Sequence, residues 1–446
     1  MKCQAVYAAR MPICATLCCL LLPAWCGAQE RDLGREVLPA NDGWASLGSG
    51  TTGGSTAAAA QVWRVSNRRE LIAALNDGVY PPTSTPSNTP KIVYVSGVID
   101  ANVDDDNRPL SCNDYQRNGY TLQAYLNAYD PITFGRVNPS GALETARVAS
   151  QMAQQARVRI RVGSNTTIVG MGRNTEMRGV WLDIRGTAGQ AGSRSNIIIR
   201  NLNFYDTYDC FPQWAPTDGA AGNWNSQYDA ISLRDADHVW IDHNTFADRY
   251  TQDVYLPTYF GRPYQIHDGL VDVTNASDLV TLSWNRFRDH DKAMLFGSSD
   301  SAAADVGKLR VTLHHNLIED IGQRAPRVRY GQVHVYNNVY RLRRYPGYEY
   351  SLGVGVQSAI VAQNNAFESN FPQRVDQVLG RFNGTAIEVG GNLLNGAPVD
   401  LRAAFNAASD PDLGGSTGFT PTLFPAIDPA ASVADAVRNG AGPMNW

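Results

Sequence analysis

From about residue 159 onward, short β-branched runs recur, each followed by an asparagine and then an apolar or aromatic residue. They read Ile197-Ile-Ile-Arg-Asn-Leu-Asn203-Phe, Val239-Trp-Ile-Asp-His-Asn244-Thr-Phe, Val280-Thr-Leu-Ser-Trp-Asn285-Arg-Phe, Val311-Thr-Leu-His-His-Asn316-Leu-Ile, Val333-His-Val-Tyr-Asn-Asn338-Val-Tyr and Ile360-Val-Ala-Gln-Asn-Asn365-Ala-Phe. Runs of this length and composition predict strands. The six asparagines are 41, 41, 31, 22 and 27 residues apart. A strict solenoid would keep one period. A constant motif at variable spacing predicts a parallel β-helix: three short strands per coil, one fixed turn, and other turns free to carry long loops on one side. The fixed turn needs a residue that tolerates the left-handed region and hydrogen-bonds through its own side chain, and asparagine does both. Stacked coil on coil, the six amides are expected to form a ladder. The coils should occupy about residues 159–390.

The segments before the coils differ. Residues 29–60 are rich in Gly, Ser, Thr and Ala and predict irregular chain. Asn67-Arg-Arg-Glu70 has the form of a capping box and opens a helix through about Leu75. Such an N-terminal capping helix would close the first coil, since an open stack exposes strand edges and core. Lys91 to Ile99 predicts one short strand, and Leu143 to Arg157 a helix with one apolar face.

Residues 1–28 have the features of an export signal: Lys2 and Arg10, an apolar run from Met11 to Leu22, and the small residues Cys26-Gly27-Ala28 before Gln29. A lipoprotein site at Cys26 is the alternative, disfavoured by the bulky Trp25 before it. The expected domains are thus a signal peptide, 1–28, and one secreted domain, 29–446. Losing Lys2 and Arg10 takes the formal charge from −4 to −6. That argues against a nucleic-acid binder, and no later run is long enough to span a membrane. A monomer is expected. Five of the seven cysteines lie in 1–28, leaving Cys112 and Cys210, either bridged in an oxidising compartment or two separate buried thiols.

Charged residues make up only 18% of the chain, so clusters of them stand out. Asp229, Asp268 and Asp272 are the acidic set. Asp229 and Asp268 lie 39 residues apart, near the 41-residue coil interval, and so fall at nearly one phase of adjacent coils. Carboxylates in such a group suit a hard divalent cation such as Ca²⁺, which takes about 6–8 oxygens. Asp272 poses a difficulty: four residues along a straight strand is about 13 Å, so Gly269 must mark a bend if Asp268 and Asp272 share an ion. The basic set is Lys292, Arg324, Arg327 and Arg329. Arg327 and Arg329 share a strand face, and guanidinium forks suit carboxylates. Asp242-His243 and His314-His315 directly precede a repeat asparagine, where a structural role is expected; no Gly-x-Ser-x-Gly motif accompanies them.

These stretches resemble the pectate lyase family of polysaccharide lyases. The match is carried by Tyr228-Asp-Ala-Ile-Ser, Val239-Trp-Ile-Asp-His, His267-Asp-Gly-Leu-Val-Asp, Asp289-His-Asp-Lys, Val311-Thr-Leu-His-His-Asn and Gln323-Arg-Ala-Pro-Arg-Val-Arg-Tyr-Gly-Gln-Val-His. The resemblance implies an all-β, single-stranded right-handed parallel β-helix that cleaves α-1,4-polygalacturonate by β-elimination, leaving a 4,5-unsaturated end. By motif position it implies Asp229, Asp268 and Asp272 as Ca²⁺ ligands, Arg324 as catalytic base, and Lys292 and Arg329 as binders of substrate carboxylates. Some members carry a further acid where this chain has Gln227, and Asp218 is a candidate for a calcium bound only with substrate. For an arginine to act as base at pH ~8.5, it must either be neutralised at a cost of about 5.4 kcal/mol or work through a small neutral fraction, which predicts an alkaline optimum. Three rivals stand beside this reading. A pectin lyase needs no calcium, and the aspartates oppose it. A β-helical polygalacturonase would carry Asn-Thr-Asp and Gly-His-Gly motifs, which are absent. A non-catalytic adhesion β-helix would have no need of Arg324 beside Lys292.

Overall fold

A computed structural model describes residues 1–2, 31–82, 85–342, 347–369 and 375–446. Residues 3–28 of the expected signal lie outside them. Met1–Asp32 separates from Leu33–Trp446 as a unit.

Leu33–Trp446 winds into a right-handed parallel β-helix of three sheets. One ten-stranded sheet runs from Val62–Val65 to Ile387–Gly390. A second runs from Val98–Asp100 to Ala397–Pro398, and an eight-stranded sheet from Arg159–Arg161 to Leu379–Phe382. One coil shows the plan: Ile231–Arg234 in the eight-stranded sheet, Ala236–Asp242 in the first ten-stranded sheet, Thr245–Ala247 in the second. Period-two alternation aims one side of each strand inward, so register stacks like on like. Val239, Val280, Val311, Val333 and Ile360 align in one column. Phe204, Phe246 and Phe287 align in another, their rings stacked 5.0 Å apart. These columns are fully or almost fully buried.

The asparagine ladder exists at five of the six expected positions and continues to Asn392. Asn244, Asn285, Asn316, Asn338 and Asn365 each donate a side-chain N–H to the Oδ1 of the next rung, at 3.0, 3.0, 2.9, 3.0 and 3.1 Å, ending on Asn392. Asn203 is not a rung: it pairs in register with Thr245, and the Leu202 N–H takes the place in line. Nor is the rung itself left-handed. That conformation falls one residue earlier, at His243, Trp284, His315, Asn337 and Asn364, with φ between 49° and 55°. The rung asparagine is selected by its capacity to cross-link coils.

The helix Arg68–Leu75 packs Leu71, Ile72, Ala74 and Leu75 into the core of the first coil. Asn67 Oδ1 accepts from Glu70 N, but the Glu70 carboxylate reaches back to Ser66. The Lys91–Ile99 segment is two strands, broken at Ser96-Gly97 where the chain turns between sheets. The Gly/Ser/Thr/Ala-rich segment lies across the outer face of the first ten-stranded sheet. Trp44 N and Ala45 N donate to Thr312 and Thr281 hydroxyls there. The helix Ala142–Val158 leads directly into Arg159–Arg161. Cys112 and Cys210 are bridged across 98 residues of sequence.

A cleft of carboxylates and guanidiniums

Gly269 organises the acidic centre. Its N–H donates to Asp229 Oδ1 at 2.9 Å, which holds the two adjacent coils together. A Cβ placed on it would lie 2.4 Å from Asp272 Oδ1 and 2.9 Å from Asp229 Oδ1, so only glycine fits and both carboxylates crowd one point. The bend required for Asp272 is therefore present: the side chain folds back toward Gly269 while Leu295 N donates to it at 3.1 Å. Ser232 Oγ donates to Asp229 Oδ2 at 2.5 Å and itself accepts from the Trp181 indole at 2.8 Å, which locks the Asp229 rotamer.

Asp268 is turned differently. Its carboxylate is about one-third exposed and faces Lys292 Nζ at 3.9 Å. Its carbonyl oxygen is held by the His290 ring at 2.7 Å, and His290 in turn by buried Asp248 at 2.8 Å. Asp253 holds His267 at 2.7 Å. Burial pulls His267 down, but Asp248 and Asp253 more than offset it, and the ring rises to about 9. Among the described residues, no three His, Cys, Asp or Glu side chains gather closely enough to enclose an ion. Asp229 and Asp272 converge, and Asp268 stands beside them.

The electrostatics of this group are lopsided. Burial first, then Asp272 and Asp268, push the Asp229 carboxyl well above the usual carboxylate range. Asp272 is pushed up to about 7 by burial and Asp268, against the pull of Arg324. Buried carboxylates that raise one another in this way fit a hard divalent cation, whose charge would offset them. Ca²⁺ takes about 6–8 oxygens, more than these residues supply, so water and substrate oxygens would complete the shell.

The basic side is built one coil further on. Gln323 is in register with Lys292, which brings Arg324 level with the acidic group. Arg324 sits in the left-handed region at φ 58°, its carbonyl accepting from Met294 N at 2.7 Å. That conformation costs a non-glycine residue about 1–2 kcal/mol and recurs at the turns between strands, as at His243 and Trp284. Its buried Nε has no hydrogen-bond acceptor among the described residues. Lys292 and Arg324 line one cleft of about 420 Å³, together with Arg327, Gln265, Arg262 and Asp218. Arg327 lies 4.0 Å from the Phe382 ring centroid. Arg329 does not line it. Its Nε donates to Asp300 at 2.5 Å and its Nη1 to the Gly297 carbonyl at 2.7 Å, directing the fork toward the neighbouring loop.

Gln265, Arg262 and the His–Asp network are members of the site that the sequence pattern does not single out. Gln265 accepts from Lys292 at 3.4 Å and donates to Asp291 at 2.5 Å, fixing the ammonium. Arg262 belongs to a small hairpin, Thr258–Tyr259 with Arg262–Pro263. A second hairpin pairs Gln213–Ala215 with Asn223–Asn225. Both pack on the Trp214/Trp224/Phe260 cluster and form the wall opposite the sheet. Gly261 and Gly222 at their turns, both at positive φ, are the signal that could have found them. Asp218 lies on this wall and accepts from Asn223 at 3.2 Å.

Comparison with known proteins gives one family throughout. The family model described as pectate lyase matches residues 134–413. A pectate lyase of Bacillus subtilis (strain 168) is 47% identical over 95% of this chain and 97% of its own length. Pectate lyase E of Dickeya dadantii (strain 3937) is 32% identical over 90% and 86%. A solved pectate lyase bound to hexasaccharide superposes with TM-score 0.86 at 45% identity, covering 93% of this chain and all of that one. One from Acidovorax avenae subsp. citrulli gives 0.84 at 36%, covering 92% and 95%. With sequence, fold and this breadth of coverage in agreement, the chain belongs to the pectate lyase family.

Proposed function

We propose that this pectate lyase uses Asp229, Asp268 and Asp272 to hold Ca²⁺, Lys292 and Arg329 to bind substrate carboxylates, and Arg324 to take the proton in β-elimination of α-1,4-polygalacturonate. One observation carries the assignment: Arg324, in a strained backbone conformation with an unsatisfied Nε, lines the same cleft as Lys292, which itself faces Asp268. Bound at the aspartates, Ca²⁺ supplies positive charge beside the C6 carboxylate, where negative charge builds as the C5 proton leaves. Lys292, held by Gln265, pairs with that carboxylate and fixes the ring. Arg324, lining the same cleft, takes the C5 proton; the electron pair forms the C4–C5 double bond as the C4–O bond to the next sugar breaks, and the departing oxygen takes a proton from water. Arg329 reaches substrate only by exchanging Asp300 for a sugar carboxylate.

Residues 1–28 act as the export signal, and 29–446 forms the single exported, monomeric domain. The Cys112–Cys210 bridge supports an oxidising destination. No helix among the described residues is long and apolar enough to cross a membrane.

The test is turnover of demethylated and methyl-esterified polymer, followed by the absorbance of the unsaturated product. Demethylated substrate with Ca²⁺ should be cleaved with rising rate into the alkaline range, and EGTA should stop it. Chelator-resistant cleavage of the esterified polymer, or reducing ends without the chromophore, would overturn the assignment.

A further inference from the structure

The second ten-stranded sheet carries a groove of its own on its outer face. Register sets Asn203 beside Thr245 and Thr245 beside Arg286, one column across three successive coils. Two residues along, Tyr205 lies beside Ala247 and Ala247 beside Arg288. Phe204, Phe246 and Phe287, between these columns, point into the core, so the columns themselves point away from it. The C-terminal tail runs alongside. Met444 N donates to Asn201 Oδ1 at 2.6 Å, and Asn201 Nδ2 donates back to the Met444 carbonyl at 3.1 Å. Gly442, at φ 89°, lets the tail lie against the sheet: a Cβ there would sit 2.9 Å from Arg286 Cδ. Sheet and tail enclose a groove of about 480 Å³ that shares no lining residue with the catalytic cleft.

The groove is lined by three arginines, Arg173, Arg286 and Arg288, and by no carboxylate. Arg173 is exposed and makes no ion pair among the described residues. Arg286 is held by two backbone carbonyls, Ala441 at 2.7 Å and Arg438 at 3.2 Å. These close the helix Ala430–Gly440, whose end carries about half a negative charge, so Arg286 is fixed in place and only partly compensated. Arg288 pairs with its chain neighbour Asp289 at 2.8 Å and stays half-exposed. Between the guanidiniums lie neutral hydrogen-bonding groups: the exposed amides of Asn174 and Asn445, and the Tyr205 hydroxyl. Guanidinium forks suit carboxylates, and amides and a phenol suit sugar hydroxyls. A ligand bearing both groups fits this lining better than a nucleic acid does, since the chain as a whole is negative.

We propose that this groove is a second, non-catalytic site for uronate-bearing saccharide, which tethers the enzyme to its polymer while the cleft cuts elsewhere on it. The choice of ligand rests on the polygalacturonate-cleaving reading above. The groove adds no chemistry. Two sites engaged on one polymer raise retention through effective concentration, so its effect grows with substrate length.

The experiment is affinity electrophoresis of Arg324→Ala, which leaves the polymer intact, through gels with and without polygalacturonate. EGTA is present throughout, to weaken the hold of the cleft. Adding Arg173→Gln/Arg288→Gln removes two exposed cations, and the Kd for retardation, normalised to the polymer-free gel, should rise about 3- to 10-fold. Its salt dependence should flatten, and Arg173→Lys/Arg288→Lys should recover most of the affinity. Asn174→Ala/Asn445→Ala, which leaves the charge alone, should also weaken retention. Arg173→Gln by itself gives the same readout if the double variant folds poorly. In the otherwise wild-type enzyme with Ca²⁺, Arg173→Gln/Arg288→Gln should change trigalacturonate kinetics less than about 2-fold. Retention unchanged in either set of variants, or an equal loss on trigalacturonate, overturns the second site and leaves the lyase reading standing. A wild type that is inactive on polygalacturonate, yet retarded through Arg173 and Arg288, overturns the lyase reading and leaves the groove.

Discussion

Asn316 is the rung that tests how the stack is held. It is fully buried and its side chain makes five hydrogen bonds. Oδ1 accepts from Asn285 N at 2.9 Å and Asn285 Nδ2 at 3.0 Å. Nδ2 donates to Leu282 O, His314 O and Asn338 Oδ1. In Asn316→Ala the Asn285 N–H loses its acceptor deep in the stack, at about 1–3 kcal/mol. The other four bonds join groups that keep a second partner, and each costs at most about 0.5–1 kcal/mol. The expected loss is about 3–7 kcal/mol. Asn203→Ala is the control: Asn203 is nearly as buried, but it donates only to the Arg173 and Thr175 carbonyls and accepts only a long 3.3 Å bond from the Tyr205 hydroxyl, and about 1–2 kcal/mol should go. Urea denaturation followed by tryptophan fluorescence, comparing midpoints at equal m, separates the two. Equal midpoint shifts would refute the claim that the ladder is a cooperative cross-link.

Three further outcomes rest on the same structure. Burial raises Asp242, but His243, Arg200 and Ser283 more than offset it and hold it at about 2. Because the folded carboxyl is depressed, its contribution is present above about pH 4 and lost as pH falls through 2. It amounts to about 2 kcal/mol, so the stability gap between wild type and Asp242→Asn should shrink over that window in denaturant titrations. Asp272 is raised, and the sign reverses: its ionisation costs stability as pH climbs from about 4 through about 7. Asp272→Asn should therefore raise the melting temperature in EGTA at pH ~8 and abolish the further rise that Ca²⁺ gives wild type. Reducing the Cys112–Cys210 bridge releases a 98-residue loop and should cost up to ~4.7 kcal/mol, read as a lower urea midpoint in dithiothreitol.

The coil repeat was legible because burial on a parallel stack forces like residues into register: the Val239 and Phe246 columns are visible in the chain as a pattern. Five of the six ladder asparagines were legible in the same way; Asn203 was not, since Asn201 and Asn203 flank Leu202 and only the turn geometry tells which residue faces the next coil. Asp229 and Asp268 fall near one phase by their spacing, whereas Asp272 joins Asp229 only through the fold of the chain at Gly269. The orientation of Arg329 could not be read, because Asp300 comes from a loop whose path no periodicity dictates. The same holds for Arg262, carried on a hairpin between coils, for Gln265 just beyond it, and for His290, whose role depends on the Asp268 carbonyl in the neighbouring coil.

The most direct test is a crystal structure of Arg324→Ala soaked with Ca²⁺ and trigalacturonate. The expected density shows an ion bound by Asp229, Asp268 and Asp272, a sugar carboxylate between that ion and Lys292, and C5–H facing the truncated side chain. An ion bound elsewhere, or a sugar whose C5 lies on the far side of the cleft from residue 324, would contradict the account.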